Sequence, residues 1–259
     1  MEILRADIAD FTGIRAIWEE HFTTDCNYLE IMFGEIMPLC TSYVCKENGK
    51  IISVLSLMPM IFANDETAER LNGWYMFGVA TIKEYWGKRV AAHLIDHTTN
   101  TLQEQGYSFV FERPATQTLN NYYWNLGFTK QLEYIPHTFK TQNPESSTGN
   151  IIAEFTELGT EAQEPINRKA DTVSEVVSGD ISVSTLAENI LKEIRTAHPK
   201  RFEWGNIHIL HSLIKIGELD FHNITYCKTP PQGVFISIKT MNSTPEELFN
   251  NSFFCFPME

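Results

Sequence analysis

The stretch Gly73–Phe128, GWYMFGVATIKEYWGKRVAAHLIDHTTNTLQEQGYSFVFERPATQTLNNYYWNLGF, is the most informative part of this sequence for its fold. Its aromatic and β-branched residues at 74–81 predict a buried strand. Apolar or small residues then recur at the spacing of an amphipathic helix, at Ala91, Leu94, Ile95, Thr98 and Leu102. Gly106 ends this helix. A second strand and a second helix follow. The order is therefore strand, turn, helix, strand, helix.

The turn WGKRVA, residues 86–91, contains a glycine and opens the first of these helices. The first N–H groups of a helix have no carbonyl partner within the helix, and the positive end of the helix dipole lies behind them. Such a turn is suited to binding a pyrophosphate group.

Together, the turn and the segment YYWNLGF at 122–128 resemble two motifs of the GNAT superfamily of N-acetyltransferases. In that family the turn usually reads R-G-x-G-x-G or R-G-x-G-x-A and holds the pyrophosphate of acetyl-CoA, and the later segment usually reads F-Y-x-x-x-G-F. Two departures occur, because Trp86 replaces the first arginine and Arg89 replaces the middle glycine. Arg89 either crowds the phosphates or pairs with them.

The resemblance implies roles for particular residues. Tyr123 is the candidate acid that protonates the departing thiolate, and the alternative is that it only packs its helix against the sheet. The backbone N–H of Val79 or of a neighbouring residue is the candidate group that polarises the thioester carbonyl, because the fourth strand of the family bulges there and stops pairing with the fifth. The alternative is that Val79 is an ordinary paired strand residue. The residues implied in cofactor binding are Val79, Thr81, Trp86, Gly87, Lys88, Arg89, Val90 and Ala91.

The general base is not identified by the sequence. Glu112, at the end of the second strand, either faces the acceptor amine or pairs with Arg113 or solvent. The C-terminal carboxylate, which ends the sequence FFCFPME at 253–259, is another candidate for the general base if it reaches the cleft of the first domain, as it does in tandem relatives of the family. The alternative is that this terminus is solvated.

Composition favours a soluble cytoplasmic enzyme. The chain has 259 residues, 43% of them hydrophobic, and a formal net charge of −13. This charge disfavours general binding to nucleic acid or to anionic membranes and favours cationic substrates.

Five scattered cysteines without a C-x-x-C pair indicate reduced thiols and no zinc site. His208 and His211 have a spacing that can bind metal, but no third ligand accompanies them, so no metal is expected. The N-terminus lacks a signal-peptide pattern.

Along the whole chain, the pattern predicts a mixed α/β sheet of the GNAT type flanked by helices, followed by a second, smaller α/β half. The first half has the order strand, helix, helix, hairpin, strand, helix, strand, helix, with Asp10 as the expected N-cap of the first helix and the second helix at 28–37. In the second half the pattern predicts helices at 184–196, at 204–216 and from Thr244, and strands at 222–227 and 233–239. The polar stretch KTQNPESSTG at 140–149 predicts a linker. We therefore expect a GNAT acetyltransferase domain at 1–138 and a degenerate GNAT-like or accessory domain at 139–259.

The function that the resemblance implies is acetyl-CoA-dependent N-acetylation of a small, amine-bearing and cationic molecule, with acetyl-CoA as co-substrate. One alternative is a non-catalytic module in which the altered turn no longer receives CoA. Another is an acyltransferase that uses a longer acyl-CoA or an aminoacyl donor. The sequence identifies neither the acceptor nor the oligomeric state.

Overall fold

A computed structural model describes residues 1–132, 183–215 and 236–252 of the chain. The strands are β1 (Glu2–Arg5), β2 (Thr41–Glu47), β3 (Lys50–Asn64), β4 (Glu69–Thr81), β5 (Phe109–Glu112), β6 (Lys130–Leu132), β7 (Lys200–Trp204) and β8 (Ile236–Thr240). The α-helices are α1 (Phe11–His21), α2 (Cys26–Ile31), α3 (Val90–Glu104), α4 (Gln117–Trp124), α5 (Val183–Ala197) and α6 (Ile207–Lys215). None of the helices in these ranges is both long and apolar enough to span a membrane.

All eight strands belong to one mixed sheet with the order β1-β2-β3-β4-β5-β8-β6, and β7 pairs with β3 outside this path. β4 and β5 are parallel, and the other pairs are antiparallel. The predicted hairpin is present, with Glu47 opposite Lys50 across the Asn-Gly turn. The expected mixed α/β sheet is confirmed.

Two hydrophobic clusters cover the opposite faces of this sheet. On β5, Phe109 and Phe111 pack into the cluster that contains residues of α1, α2, α5 and α6, whereas Val110 between them packs with α3 and α4. Successive side chains of a strand point to opposite faces, so this alternation places helices on both sides of the sheet.

Strands from beyond residue 138 complete the sheet of the first half. β8 lies between β5 and β6, with Phe111 opposite Ile238, and β7 extends along the distal part of β3. The boundary at residue 138 stays a prediction, but the two sides of it share one continuous sheet.

A buried ion cluster holds β7 against the β3–β4 hairpin. The side chain of Arg201 is 2% exposed; it donates to Glu203 at 2.5 Å and pairs with Asp65, which follows β3. Arg195 on α5 donates to the other oxygen of Glu203 at 2.6 Å. Burial raises the pKa of Glu203, but the two arginines outweigh burial, and the pKa is lowered overall. Both guanidinium groups therefore keep this carboxylate ionised.

Several predicted boundaries are wrong. The predicted helix at 28–37 is instead a short α-helix, Cys26–Ile31, that continues as a π-helix, Met32–Ile36, and a 3-10 turn, Met37–Leu39. Pro38 lies near the start of this last turn, where a proline is tolerated. The strand predicted at 74–81 begins at Glu69, since pairing with β3 extends it. The helix predicted from Trp204 begins at Ile207, because Trp204 is the last residue of β7.

Capping was also predicted incorrectly. Asp10 makes no side-chain cap, and the capping carboxylate is Asp7, which accepts from the N–H of Ala9 at 2.8 Å. The helix predicted from Thr244 is a 3-10 turn, Glu246–Phe249. The helix predicted at 184–196 is confirmed within a residue at each end. The predicted linker and the strand predicted at 222–227 lie outside the described residues.

Candidate active site

The central feature of the site is the point at which β4 and β5 separate. Their parallel pairing ends at Met76 opposite Glu112, although β4 continues to Thr81. Beyond this point β4 carries one extra residue relative to β3, because Ser56 lies opposite Phe77 whereas Val54 lies opposite Ala80. This is a β-bulge, and it leaves the backbone of the last part of β4 free of β5. Val79 lies within it, as the resemblance implied; the role of its N–H stays a prediction.

Gly78 makes the bulge possible. Its φ is +60°, and a Cβ built on it would lie 2.5 Å from the indole ring of Trp18 on α1. Both the left-handed backbone and the close approach of α1 require a residue without a side chain. Gly78, the second of the two glycines in GWYMFGVAT, thus bends β4 where the two strands part.

The turn at 86–91 follows β4 after a short 3-10 turn, Lys83–Tyr85. Gly87 has φ +74°, and Arg89, the N-cap of α3, has φ +60° and ψ +21°. Arg89 therefore adopts the left-handed conformation that glycine adopts most easily, at the position where the family motif has its middle glycine. The N–H groups of Val90 and the two residues after it have no intrahelical carbonyl, because the first helical bond joins the N–H of His93 to the carbonyl of Arg89.

The buried face of α3 differs from the prediction at its start. Leu94, Ile95, Thr98 and Leu102 are buried as expected, but Val90 and Ala92 are buried in place of Ala91, which is only half-buried. Val90 lies four residues before Leu94 and Ala92 three before Ile95, so both lie on the predicted face of the helix.

Side chains of the turn anchor it to the sheet. The indole N–H of Trp86 donates to the carbonyl of Thr81 at 2.6 Å, and the ring is 59% exposed. The hydroxyl of Tyr85 donates to Glu47 at the end of β2. The ammonium group of Lys88 lies 4.4 Å from the centre of the Tyr85 ring, a cation–π contact. These contacts fix the turn although it lacks two of the residues of the family motif.

Tyr123 lies on α4, inside the hydrophobic cluster of that face. It is 8% exposed, and its ring packs edge-on against Phe128 with the centroids 5.6 Å apart. Burial raises the pKa of Tyr123 well above its ordinary value, and the charge of Glu112 raises it further. A phenol of ordinary pKa is already protonated at neutral pH, and this shift acts in the same direction, so Tyr123 is available as a proton donor.

Tyr122 is subject to other charges than its neighbour. Burial and the Asp96 carboxylate raise its pKa, while the Arg89 guanidinium lowers it. A charge of the turn therefore acts on Tyr122, whereas the charge of Glu112 acts on Tyr123.

Lys239 on β8 is a supporting residue that the sequence analysis missed. Its ammonium group donates to the carbonyl of Leu126 at 3.0 Å and to the hydroxyl of Thr99 at 3.1 Å, and so it holds the LGF turn against α3. Burial lowers the pKa of Lys239. No local signal indicates this contact, because Lys239 lies 113 residues after Leu126.

Glu112 is buried, which contradicts the alternative in which its side chain faces solvent. It is 2% exposed, and its Oε1 atom is buried without a hydrogen-bond partner among the described residues. Burial raises its pKa well above the ordinary value of a glutamate. The terminal carboxylate considered as a second base lies outside the described residues.

The remaining candidate ligands form no metal site in the described part of the chain. His208 and His211 lie on α6 with ring centres 5.4 Å apart, but within residues 1–132, 183–215 and 236–252 no group of three or more metal ligands occurs. Cys26, Cys40 and Cys45 are free thiols; the other two cysteines are outside these ranges.

Comparison with known proteins gives a match to one family and a set of distant structural likenesses. The family model of the acetyltransferase (GNAT) domain matches residues 2–130. No curated protein sequence matches the chain significantly.

Three solved structures illustrate the structural likeness. A probable N-acyltransferase from Enterococcus faecalis V583 is 12% identical, with a TM-score of 0.44, over 52% of this chain and 33% of its own. A GNAT family N-acetyltransferase from Escherichia coli, solved in complex with CoA, is 21% identical, with a TM-score of 0.41, over 49% of this chain and 67% of its own.

The third is a predicted acetyltransferase from Clostridium acetobutylicum, solved with acetyl-CoA. It is 14% identical, with a TM-score of 0.42, over 57% of this chain and 97% of its own. The present chain thus spans only a third of the length of the Enterococcus protein. On the strength of the family match, residues 2–130 of this chain form an acetyltransferase domain of the GNAT family.

Proposed function

We propose that this chain is an acetyl-CoA-dependent N-acetyltransferase that acts on a small, amine-bearing molecule. The observation that carries the proposal is the convergence of three features at one end of the sheet: the bulge in β4, the turn before α3, and Tyr123 on α4. Each corresponds to a part of the GNAT family that handles the acyl donor, and the match to the family model includes all three.

Donor binding is proposed at the turn and along the free part of β4. The unpaired N–H groups at the start of α3 would receive the pyrophosphate of acetyl-CoA. Arg89, exposed and next to them, would pair with a phosphate oxygen. The backbone of Val79 and Thr81, released from β5 by the end of pairing, would bind the pantetheine arm in the manner of an added strand.

The chemistry needs three contributions. The neutral amine of the acceptor attacks the thioester carbonyl, and a C–N bond forms as the C–S bond breaks. The N–H of Val79 would stabilise the negative charge that develops on the carbonyl oxygen. The Tyr123 phenol, which is protonated at neutral pH, would give its proton to the departing thiolate and regain one from the new amide nitrogen.

The experiment that tests this proposal measures CoA release from acetyl-CoA with a panel of primary amines. Acetylation of any of them supports the proposal, and Tyr123→Phe should abolish most of the turnover. Acetyl-CoA binding without turnover on any amine would favour the alternative, a ligand-binding module. We further propose that residues 1–138 supply the donor site and that residues 139–259 serve as an accessory part, through the strands they add to the sheet.

A further inference from the structure

An aromatic surface lies where the end of α1 meets the turn before α3. It consists of Trp18, His21 and Phe22 at the end of α1 and of Trp86 in the turn. The ring centroids of Trp18 and Phe22 are 5.0 Å apart, and those of His21 and Trp86 are 6.2 Å apart. Phe22 is 46% exposed and Trp86 59%, whereas Trp18 is 3% exposed. Two large rings of this surface are therefore open to a ligand.

Trp86 keeps a fixed position on the aromatic surface although it is exposed. Its indole N–H donates to the carbonyl of Thr81 at 2.6 Å, and its ring lies against that of His21. A ring held in this way presents a face on which another flat group can stack. Trp86 stands where the family motif has an arginine, so this face is a feature of the present chain rather than of the motif.

Two buried ring nitrogens of the aromatic surface have no hydrogen-bond partner among the described residues, Nε1 of Trp18 and Nε2 of His21. The Glu20 carboxylate is 3.9 Å from Nε2 of His21, which is too far for a hydrogen bond. The N–H of a tryptophan can only donate, and buried polar groups in folded proteins are almost always paired. The unpaired N–H of Trp18 is explained if a ligand supplies an oxygen that accepts from it.

The N–H of Trp18 lies close to the proposed point of reaction. Its Nε1 atom is 3.2 Å from a Cβ built on Gly78, the residue before Val79. Trp18 packs on the face of the sheet that α1 covers, whereas most of the buried face of α3 packs on the opposite face. An acceptor on the aromatic surface therefore approaches β4 from one face, and a donor at the start of α3 leaves that approach open.

We propose that the aromatic surface binds the acceptor, and that the acceptor is an aromatic amine with a carbonyl oxygen next to its amine group, as in the amide of an aromatic amino acid. This inference rests on the proposed function and names its substrate class. The ring of the acceptor packs on Phe22 and Trp86, and its carbonyl oxygen accepts from the N–H of Trp18. Small-molecule sites combine apolar walls and a few polar groups in this way.

The order of these groups along β4 decides which amine fits. The N–H of Trp18 is next to Gly78, whereas Trp86 is bonded to Thr81, three residues further along the strand. The carbonyl oxygen of the acceptor must therefore be close to its reacting amine, and the aromatic ring further away. We place the entry of the carbonyl group at Phe22, because its half-exposed ring packs on Trp18 and exposed side chains change rotamer readily.

The test uses three acceptors that differ in one feature each. Phenylalaninamide has both the ring and the carbonyl group, leucinamide lacks the aromatic ring, and phenethylamine lacks the carbonyl group. With saturating acetyl-CoA, kcat/KM of the wild-type protein should be roughly threefold to tenfold higher for phenylalaninamide than for leucinamide, whose amine has the same surroundings. Equal values for these two amides would overturn the inference.

Phe22→Leu and Trp86→Leu each remove an aromatic ring and keep an apolar side chain. Both variants should bring the ratio of kcat/KM for phenylalaninamide over leucinamide close to one. This ratio does not depend on the affinity for the donor, because both amides react with the same saturating acetyl-CoA. The matched control is Trp124→Leu, which removes a tryptophan on α4 that is 50% exposed and should leave the ratio unchanged.

Trp18→Phe keeps a ring and removes the N–H. It should lower kcat/KM for phenylalaninamide roughly tenfold and change that for phenethylamine by less than about threefold. The control is Trp204→Phe, which removes another buried N–H that has no partner in the described part of the chain, at the end of β7, and should change neither value. If Trp18→Phe does not fold, the leucine variants at the two exposed positions still decide.

A second readout needs no turnover. Calorimetric titration into protein saturated with free CoA should show tighter binding of phenylalaninamide than of leucinamide for the wild type and for Trp124→Leu, and equal binding for the other two leucine variants. Equal binding by the wild type would overturn the inference. So would leucine variants that lose affinity for acetyl-CoA and keep the ratio of the two amides, because the rings would then belong to the donor site.

Failure of the proposed function gives a different result. In that case neither the three acceptors nor spermidine would be acetylated by the wild-type protein. The calorimetric preference for phenylalaninamide over leucinamide would still decide whether the aromatic surface binds an aromatic amine.

Discussion

The bulge that separates β4 from β5 can be tested by adding one methyl group. Gly78→Ala places a side chain at a backbone φ of +60° and puts its Cβ 2.5 Å from the ring of Trp18, which is itself buried. The left-handed conformation costs an alanine about 1–2 kcal/mol. Overpacking against a ring that cannot move away costs about 1–3 kcal/mol more. We expect a loss of about 2–5 kcal/mol in the free energy of unfolding.

The matched control is Gly49→Ala in the β2–β3 turn. Gly49 has φ +78°, but nothing lies within 4 Å of a Cβ built there. The two variants share the left-handed strain and the loss of entropy in the unfolded chain, so their difference isolates the contact with Trp18. Urea unfolding monitored by tryptophan fluorescence measures both. Equal losses of unfolding free energy in the two variants would show that Trp18 on α1 makes no close contact with residue 78, which would contradict the role given to Gly78 in the bulge.

Four further predictions concern the site. Gly87→Asp, which adds a side chain and a negative charge to the turn, should weaken acetyl-CoA binding at least tenfold, about 1.4 kcal/mol, by calorimetry; unchanged affinity would move the donor elsewhere. Arg89→Gly should relieve the left-handed strain yet weaken CoA binding and reduce its salt dependence, whereas tighter binding would mean that Arg89 crowds the phosphates. Tyr123→Phe should lower kcat roughly a hundredfold with donor affinity intact, and an equal loss in Tyr122→Phe would defeat the assignment. The pKa of Glu112 is raised on folding, so its contribution to stability is full below the unfolded pKa and is lost as pH rises through the folded pKa. Thermal unfolding should therefore show that Glu112→Gln is more stable than wild type, by a margin that is larger at pH 8 than at pH 5. A margin that shrinks as pH rises would contradict the burial of this group.

Much of the first half could be predicted from local patterns. The Asn-Gly hairpin, the alternation of the buried strands and the spacing of α3 are short-range signals, and the structure has all three elements. The bulge was implied by the family resemblance, and the structure has it at Gly78, where a glycine occurs inside an otherwise β-branched and aromatic strand.

The rest depends on contacts between distant parts of the chain. Three contacts join residues that are more than 100 positions apart in the sequence. They are the pairing of β8 with β5, the ion pair of Arg201 with Asp65, and the hydrogen bond from Lys239 to Leu126 in the LGF turn. A single sequence carries no signal for such pairs. The burial of Glu112 was missed for the same reason, since the strand that covers it, β8, is contributed by residues 236–240.

The most direct test of the central claim is calorimetric titration of the wild-type protein with acetyl-CoA and with free CoA. We expect both to bind at one site per chain with micromolar dissociation constants. Binding should weaken as the salt concentration is raised, because phosphate groups would contact N–H groups and Arg89 at the start of α3. Absence of binding at millimolar acetyl-CoA would contradict the proposal that this GNAT domain is an acetyltransferase in this chain.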